Sequence, residues 1–206
     1  MRHRGVSVTE VSKEELDLRA KTERHQGVLA QLDASEVNTV SVTDLLYRAE
    51  SAGEDPLIVL LDGIQDPMNF GAILRSAFAL GAHGVIIPKN RTARISPVVV
   101  RASAGAALHV AVAEVVNLKF AVEELKSNDI WVVATAAEGD PVDAVDVSGP
   151  LGVIIGGEAK GVRPHLAAIC DHRVSIPQIP DFDSLNASVA AGILLYEAQR
   201  QRRGRT

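Results

Sequence analysis

Short apolar runs alternate with longer amphipathic segments from residue 56 onward. The apolar runs, which predict strands, cover residues 57–61, 84–87, 110–113, 130–134, 152–155 and 173–176. The amphipathic segments, which predict helices, cover residues 71–80, 96–104, 118–127, 163–170 and 184–202. Runs that are apolar on both faces are typical of buried parallel strands, and parallel strands need crossover connections, usually helices. The pattern therefore predicts an α/β fold with a mostly parallel sheet and helices on both of its faces.

The first 55 residues are more polar and less regular. Ser12 and Glu15 have the spacing of a capping box, which predicts a helix over residues 12–24. An extended segment or short strand over residues 28–32 and a second helix over residues 43–51 follow. This stretch is too short and too polar to bury a core of its own. We expect residues 1–55 to be an arm or linker and residues 56–206 to be the α/β domain.

Composition and charge limit the classes of function that the chain can have. The chain of 206 residues is 47% hydrophobic and 23% charged, as in an ordinary globular protein. Aromatic residues are scarce, with Phe 4, Tyr 2 and Trp 1. This argues against a module that stacks single-stranded nucleic acid on a sheet of aromatic rings. The formal net charge of −5 means that a polyanionic partner must be held by local basic patches.

The cysteine and histidine content indicates the cellular compartment and whether a metal site is expected. Cys170 is the single cysteine, so it cannot form an intramolecular disulfide, and we interpret it as a small buried apolar residue in a reducing compartment. The N-terminus lacks the apolar run of a signal peptide, and no apolar run is long enough to cross a bilayer. The 6 histidines have no ligand spacing, so no metal site is expected. A cytoplasmic protein is predicted.

The first candidate site covers residues 62–75, after the first apolar run of the domain. Ligands of open α/β sheets bind beyond the carboxyl ends of the strands. Asp66 or Asn69 is placed to cap the next helix, and Gly71 allows close helix packing. Neither role explains Arg75, which lies in an otherwise apolar helix. Its spacing leaves two partners open, a carboxylate in a structural salt bridge or a bound anion such as phosphate.

The second candidate site is the glycine-rich turn over residues 156–161. Such a turn lets backbone N–H groups approach a ligand closely. The Gly-Lys-Ser/Thr ending of a phosphate-binding loop is absent, and no Gly-x-Gly-x-x-Gly follows the first strand of the domain, which disfavours an ordinary dinucleotide-binding domain. By itself the turn is compatible with a ligand site and with a simple tight connection.

The third candidate site covers residues 175–188. Two prolines hold this loop extended, and Asp183 or Ser184 is suited to cap the last helix. Asn186 and Ser188 add polar groups that capping does not require. All three candidate sites follow predicted strands, as a ligand site at the carboxyl edge of the sheet would demand.

Three short segments occur along the chain in this order: Asn-Phe-Gly-Ala-Ile-Leu-Arg, Ile-Gly-Gly-Glu-Ala-Lys-Gly and Ser-Leu-Asn-Ala-Ser-Val-Ala. Together they resemble the three motifs of the SpoU/TrmH class of SPOUT RNA 2'-O-ribose methyltransferases, over about residues 57–203. The upstream His-Gln-Gly-Val at residues 25–28 is similar to the domain junction of the 23S rRNA guanosine-2'-O-methyltransferase (RlmB-like) branch. An RNA-binding domain precedes that junction in the branch. Residues 1–55 are therefore expected to be its remnant, in a truncated chain or in a lineage with a reduced arm.

The resemblance implies a fold, a cofactor and a set of site residues. It implies a C-terminal trefoil knot, which general folding rules would have argued against. It also implies S-adenosyl-L-methionine as the cofactor, RNA as the substrate, and a homodimer with the active site near the subunit interface. The cofactor-binding residues that it implies are Thr135, Ala136, Gly156, Gly157, Ile176, Leu185 and Ser188. The catalytic residues that it implies are Asn69, Arg75, Glu158, Ser184 and Asn186.

The chemistry implied is the attack of a ribose 2'-hydroxyl on the methyl group of a sulfonium. The protein must align the two reacting atoms and help to remove a proton from a weakly acidic hydroxyl. An arginine is a poor base because its pKa keeps it protonated. We therefore hypothesise that Arg75 binds the substrate phosphate and the ribose oxygen, and that the phosphate helps to take the proton.

Two basic patches are candidates for RNA contact. The patch near the catalytic motif, for which we favour phosphate contact, consists of Lys89, Arg91, Arg94 and Arg101. The C-terminal patch, for which we favour a solvated helix end stabilised by the helix dipole, consists of Arg200, Arg202, Arg203 and Arg205. The apolar stripe of the closing helix is compatible with burial in the core or in an interface.

Other functions stay open beside an rRNA methyltransferase. A tRNA 2'-O-methyltransferase and a non-catalytic RNA-binding relative are the main alternatives. The retained Asn69, Arg75, Glu158 and Asn186 argue against the non-catalytic one, and the missing glycine fingerprint argues against a dehydrogenase-like enzyme. The third motif departs from its relatives at Pro180 and Asp181, a difference that bears on the loop covering the cofactor.

Overall fold

A computed structural model describes residues 7–20, 25–31, 39–158, 160–179 and 184–204. The chain forms two compact units, Met1–Glu36 and Val37–Thr206. In the first unit, helix α1 (Lys13–Ala20) begins as predicted, with the Glu15 backbone N–H donating to the Ser12 hydroxyl at 3.2 Å. Residues 21–24 of that predicted helix lie outside the described part. Residues 28–31 form no strand, and the remainder of that prediction, residue 32, also lies outside it.

The second unit is built on one sheet. Its strands are β1 (Thr39–Val40), β2 (Leu57–Asp62), β3 (Gly84–Pro88), β4 (Val112–Val115), β5 (Trp131–Pro141), β6 (Leu151–Gly156) and β7 (His172–Ser175). Among the described residues the strand order is β1-β4-β3-β2-β6-β5-β7, and every pair of neighbouring strands is parallel. The predicted parallel sheet is confirmed. Its carboxyl edge brings the loops after β2 and β6 side by side.

Helices cover both faces of this sheet. They are α2 (Val42–Ala52), α3 (Pro67–Ala79), α4 (Pro97–Ala102), α5 (Leu118–Ser127), α6 (Pro164–Ala167) and α7 (Ala187–Arg203). Leu57, Val59 and Leu61 of β2 pack in one buried cluster with residues of α3, α4 and α7. Ile58 and Leu60 pack in a second cluster with residues of α2, α5 and α6. Because successive strand residues point to opposite faces, β2 supports both layers, and the predicted architecture is confirmed.

Residues 39–52, which the sequence pattern placed in the arm, form β1 and α2 within the second unit. β1 pairs with β4, and Leu45 of α2 is fully buried. Gly84 permits this close approach, because a Cβ atom there would lie 2.3 Å from Leu45 Cδ2. The hydrophobic face of α2 is therefore buried against the α/β core, in spite of its polar surroundings in the sequence.

Several element boundaries differ from those predicted, and local hydrogen bonds explain two of them. Helix α3 begins at Pro67 because the Asp66 side chain accepts from the backbone N–H groups of Met68 and Asn69. Helix α7 begins at Ala187 because Asn186 is its N-cap; the prediction that Asp183 or Ser184 caps this helix is wrong. The helix predicted over residues 163–170 shortens to the single turn of α6.

The arginines at the end of α7 have structural partners. Arg200 pairs with Glu197 at 2.7 Å, and Arg202 donates to the backbone carbonyls of Asp55, Pro56 and Gly149. Arg203 lies over the Tyr196 ring, 5.9 Å from its centroid. These contacts favour a structural role for the described part of the C-terminal patch, while Arg205 lies outside the described residues. No described helix combines the length and the apolar character needed to cross a membrane.

Candidate active site

An ion pair between the buried Asp62 and the partly exposed Arg163 joins the end of β2 to the loop after β6. Asp62 is only 3% exposed, and its Oδ1 accepts from Arg163 Nε at 2.8 Å while its Oδ2 accepts from the Arg163 backbone N–H at 2.8 Å. The Asp62 carbonyl also accepts from the Gly157 backbone N–H at 2.9 Å. Three hydrogen bonds therefore fix the second motif against the strand that leads into the first. Neither Asp62 nor Arg163 was singled out from the sequence.

The glycines of the second motif are required by this tight geometry. A Cβ atom on Gly156 would lie 2.1 Å from the carbonyl carbon of Gly161, and one on Gly157 would lie 2.6 Å from the Gly63 oxygen. Gly161 has φ +61, in the left-handed region that glycine adopts most readily. The glycines thus let the turn close on protein backbone, which places Glu158 at the open edge. Residue 159 lies outside the described residues.

Asn186 belongs both to the cap of α7 and to the site. Its Oδ1 accepts from the backbone N–H of Ser188 at 2.9 Å and from the Ser188 hydroxyl at 2.6 Å. Capping uses the carbonyl oxygen of the side chain and leaves its NH2 group for other partners. The extra polar groups expected at Asn186 and Ser188 are thus explained by one local hydrogen-bond arrangement.

The three motifs meet at one group of side chains, which we call the amide–carboxylate cluster: Asn69, Glu158 and Asn186. Asn186 Nδ2 donates to Asn69 Oδ1 at 2.9 Å and to Glu158 Oε1 at 2.9 Å. Asn69 Nδ2 also donates to Glu158 Oε1. Both amides therefore hold the same carboxylate oxygen. Glu158 Oε2 has no hydrogen-bond partner among the described residues, so it can accept a hydrogen bond from a ligand.

A cleft of about 1150 Å³ opens beside this cluster, along the carboxyl edge of the sheet. Asn69 and Glu158 line one part of it. Its cationic lining residues are Arg91, Lys160 and Arg163, with His165 beside them. A cleft of this size, with converging polar groups, is large enough for an extended ligand rather than a single small molecule. Lys160 lies in the second motif, whereas the sequence did not indicate Arg163 or His165 as members of the site.

The residues expected to bind the cofactor lie within β5, at the ends of β6 and β7, and at the start of α7. Thr135 Oγ1 accepts from the Gly156 backbone N–H at 3.4 Å, which links β5 to β6. β5 extends further than predicted, and its pairing with β7 shifts register between Thr135 and Asp140. Thr135, Ala136, Gly156, Gly157, Ile176, Leu185 and Ser188 are all partly exposed, and none is charged.

This surface fits a positively charged sulfonium nucleoside. The seven residues offer small and apolar side chains, hydroxyls and backbone groups, and none of the seven is itself a cation that would repel the ligand. Ser184 is exposed in the same segment, just before Leu185. Pro180 and Asp181, where the third motif departs from its relatives, lie outside the described residues.

Arg75 is not brought into the cleft of its own chain. It is exposed on α3, with no hydrogen bond or ion pair to any described residue, so the salt bridge that its spacing left open is not formed there. Six residues separate it from Asn69, which places the two on different sides of the helix. Near Arg75, α3 packs against α7 where a Cβ on Gly192 would lie 3.7 Å from Ser76 Oγ.

The four cations expected to contact RNA have different surroundings. Arg91 lines the cleft, whereas Arg94 pairs with Glu114 and donates to the Lys89 carbonyl. The side chains of Lys89 and Arg101 are exposed and have no ionic partner among the described residues. Arg94 is thus engaged in local structure, and the other three side chains are available.

Cys170 does not line this cleft, and its thiol is not activated. Burial, with the neighbouring Asp171 carboxylate acting in the same direction, raises the pKa of the Cys170 thiol to about 11. The thiol is therefore protonated and a poor nucleophile at neutral pH. Within the described ranges, no three His, Cys, Asp or Glu side chains are grouped as a metal site would require.

Fold and site together define a class of protein: an α/β enzyme whose ligands bind along the carboxyl edge of a parallel sheet. A model of the SpoU rRNA methylase family matches residues 56–196. A second model, described as RNA 2'-O ribose methyltransferase substrate binding, matches residues 1–37. The chain belongs to the SpoU rRNA methylase family, as its three motifs indicated.

Individual relatives agree with this membership. An uncharacterized tRNA/rRNA methyltransferase of Mycolicibacterium vanbaalenii is 43% identical over 201 residues, which are 97% of this chain and 63% of that protein. The 23S rRNA (guanosine-2'-O-)-methyltransferase RlmB of Shewanella oneidensis is 38% identical over 200 residues, 97% of this chain and 80% of that protein. The chain thus spans less than two thirds of some relatives and more of others.

A solved structure agrees with the fold. The SpoU methyltransferase AviRb from Streptomyces viridochromogenes, in complex with the cofactor AdoMet, superposes with a TM-score of 0.68 and 32% sequence identity. The match covers 85% of this chain and 67% of that one. The expected SPOUT-type α/β class is confirmed by this neighbour.

Proposed function

We propose that this protein transfers a methyl group from S-adenosyl-L-methionine to the ribose 2'-hydroxyl of a guanosine in 23S rRNA. The observation that carries the proposal is the amide–carboxylate cluster, in which side chains of all three motifs share hydrogen bonds at the edge of a long cleft. Membership of the SpoU rRNA methylase family and the similarity to a 23S rRNA guanosine methyltransferase support the choice of reaction and of RNA.

The cofactor is held by the seven residues expected from the sequence, which lie within β5, at the ends of β6 and β7, and at the start of α7. When bound, S-adenosyl-L-methionine supplies an electrophilic methyl group. Thr135 fixes the end of β6 through its hydroxyl, and the uncharged surface around Ile176 and Leu185 accepts the cation. The trefoil knot implied by the motifs would enclose this site, and it stays a prediction.

The amide–carboxylate cluster orients the ribose. Asn69 and Asn186 fix Glu158 through Oε1, so that Oε2 keeps one direction and can accept a hydrogen bond from the 2'-hydroxyl. A hydroxyl held in this way has a lone pair free for in-line attack, and its alignment supplies much of the rate enhancement. Arg75 binds the phosphate and the developing negative charge on the ribose oxygen, and the phosphate helps to take the proton. Ser184 stands next to this region.

A homodimer completes the site. Exposed apolar residues of α3 and α7 form a surface that we call the α3–α7 surface, made of Met68, Phe78, Val189, Ile193 and Tyr196. A patch of this kind is typical of a protein interface. Arg75 lies on α3 beside it and outside its own cleft. Pairing two copies through this surface covers the apolar residues and gives Arg75 a route to the cleft of the second copy.

The RNA is held by cations along the cleft and by the N-terminal segment. Arg91, Lys89 and Arg101 contact phosphates in this proposal, with Lys160 added to them. The segment before residue 37 is proposed to take part in RNA binding, which the substrate-binding match over residues 1–37 supports. A cytoplasmic location, where rRNA is accessible, stays a prediction.

Methyl transfer to separated RNA pools tests the function. The protein is incubated with labelled S-adenosyl-L-methionine and with unmodified 23S rRNA, 16S rRNA or tRNA. We expect label in 23S rRNA, as 2'-O-methylguanosine after nuclease digestion. Glu158→Gln should lower kcat about 100-fold or more, because its side chain cannot present two carboxylate oxygens. Glu50→Gln, on the exposed side of α2, is the matched control and should keep full activity.

Two other labelling results would contradict the proposed function. Label in tRNA alone would contradict the rRNA assignment and favour a tRNA methyltransferase. Absence of label from every RNA, with cofactor binding retained, would overturn the enzymatic function and favour a non-catalytic RNA-binding protein.

A further inference from the structure

Phe120 is an exposed phenylalanine of helix α5. The helix buries Leu118, Ala121, Val122 and Leu125 along one face, and Phe120 lies on the opposite side of the helix, where it is 63% exposed. Val116, which precedes the N-cap of α5, is 78% exposed. Neither residue belongs to the buried clusters of the domain, so the core does not account for them. Burying a phenylalanine ring is favourable by about 2 kcal/mol relative to leaving it exposed, so a ligand that covers Phe120 gains binding free energy of that order.

Both side chains line the same cleft as Asn69 and Glu158. The cleft follows the carboxyl ends of β4, β3, β2 and β6 in that spatial order. Adjacent strands lie about 4.8 Å apart, so the ends of β4 and β6 are separated by about 14 Å. A ribose oriented by Glu158 would leave the β4 end free. That end has room for a neighbouring nucleotide of the same RNA.

The lining between these two ends suits a nucleotide better than a protein surface. Arg91 and Lys160 line the cleft, and neither has an ionic partner among the described residues. Asn90 and Asn117 also line it. Asn117 Oδ1 accepts from the Lys119 backbone N–H at 3.0 Å, and its NH2 group has no partner in the described part of the chain. A ring flanked by amides and cations offers stacking, base-edge hydrogen bonds and phosphate contact together.

We propose that Phe120, with Val116 beside it, is a stacking platform for one unpaired nucleobase of the RNA substrate, adjacent to the nucleotide that is methylated. The inference rests on the proposed function and specifies how the same cleft holds its substrate. It also requires the target to lie in a loop or an opened stretch of RNA, because a base within a duplex cannot stack on a side chain. One ring suffices for this contact, which agrees with the scarcity of aromatic residues in the chain.

RNA affinity tests the platform independently of catalysis. Binding of the intact chain to an unmodified 23S rRNA transcript is measured by filter binding for the original protein, Phe120→Leu, Phe120→Trp and Trp131→Leu. Stacking on one aromatic side chain contributes about 1–3 kcal/mol, so Phe120→Leu should weaken binding about tenfold or more. Phe120→Trp should bind within about twofold of the original protein, because it keeps the ring. S-adenosyl-L-methionine affinity, measured for each variant, should not change.

Trp131→Leu is the matched control for loss of an exposed aromatic ring. Trp131 is 52% exposed at the amino end of β5, on the opposite edge of the sheet, and stacks on His172 at 5.3 Å. Its loss should leave RNA affinity unchanged. Unchanged RNA affinity in Phe120→Leu, or an equal loss in Phe120→Trp, would overturn the platform and leave a protein partner as the occupant. If the original protein methylates no RNA, the proposed function fails, while the affinity ratios still decide the platform.

Discussion

A single side chain at the carboxyl edge of the sheet can both cap a helix and form part of the site. Asn186 shows this most clearly, since its carbonyl oxygen caps α7 while its NH2 group reaches Asn69 and Glu158. The sequence indicated that Asn186 exceeded the needs of capping, although it assigned the cap to other residues. The three motifs and the family resemblance that they carry indicated which side chains had chemistry to offer. They did not show which of their atoms remain free after local structure has been satisfied.

Substitution of Arg75 tests whether methyl transfer needs a planar guanidinium group. We expect Arg75→Lys to lower kcat at least about tenfold, with unchanged stability, because lysine keeps the charge and loses the planar two-pronged donor that binds phosphate and oxygen together. Steady-state methylation of 23S rRNA measures the effect. Arg48→Lys, on the exposed side of α2, is the matched control and should retain activity. Near-full activity of Arg75→Lys would show that the two-pronged donor is unnecessary.

At the scale of elements, glycine decides how closely helices and turns approach one another. The sequence left the turn over residues 156–161 open between a ligand site and a tight connection. The structure shows that Gly156 and Gly157 are packed against protein backbone, so the connection alone requires them. Gly71 has the packing role that the sequence suggested: a Cβ there would lie 2.5 Å from Ala102 Cβ and 2.9 Å from the Val99 carbonyl.

Substitution at Gly71 tests the packing of α3 on α4. We expect Gly71→Ala to lower the free energy of unfolding by about 1–3 kcal/mol, because the added methyl group overlaps atoms of α4 that cannot move independently. Urea denaturation measures it. Gly192→Ala is the control, since its Cβ would lie 3.7 Å from Ser76 Oγ and the helix would gain up to about 1 kcal/mol. Equal stability of the two variants would contradict tight α3–α4 packing.

At the scale of the whole molecule, the carboxyl edge of the sheet carries the amide–carboxylate cluster and the cleft, while α3 and α7 carry Arg75 and several exposed apolar residues. The strand order β2-β6-β5-β7 brings the end of β2 beside the turn that carries Glu158, and helix α7 returns Asn186 to the same place. On one face, α3 and α7 present the α3–α7 surface. A single copy therefore has a formed cleft and an uncovered face with Arg75 nearby.

The proposed homodimer predicts a change of molecular mass. We expect Ile193→Asp, within the α3–α7 surface, to convert a dimer into a monomer, because an unpaired carboxylate cannot be buried in an apolar interface without a large desolvation cost. Light scattering after gel filtration measures the mass, and methylation should fall with the dimer.

Val116→Asp provides the comparison for oligomeric state. Val116 is an exposed apolar residue far along the cleft, outside the α3–α7 surface, and its substitution should leave the mass unchanged. A monomeric original protein with full activity, or a dimer that survives Ile193→Asp, would contradict the proposed interface.

The sequence determined the features that depend on near neighbours along the chain. Alternating apolar runs indicated the parallel sheet and its two helical layers, because burial on both faces leaves a pattern within each strand. The capping hydrogen bond at Ser12 and the close packing at Gly71 could also be predicted, because each depends on a local sequence feature. The three motifs also indicated the SpoU rRNA methylase family, to which the chain belongs, and the roles of their side chains stay predictions.

Only the tertiary structure decided which of these residues meet. Asn69, Glu158 and Asn186 are separated by 89 and 28 positions along the chain, and their contact follows from strand order, which no local pattern specifies. The same long-range packing left Arg75 outside its own cleft, paired Asp62 with Arg163, and placed Phe120 on the cleft wall. Contacts of this kind depend on how whole layers stack. The composition argued against stacking of nucleic acid on a sheet of aromatic rings, whereas the fold places one exposed ring, Phe120, on the cleft, where we propose that it stacks on an RNA base.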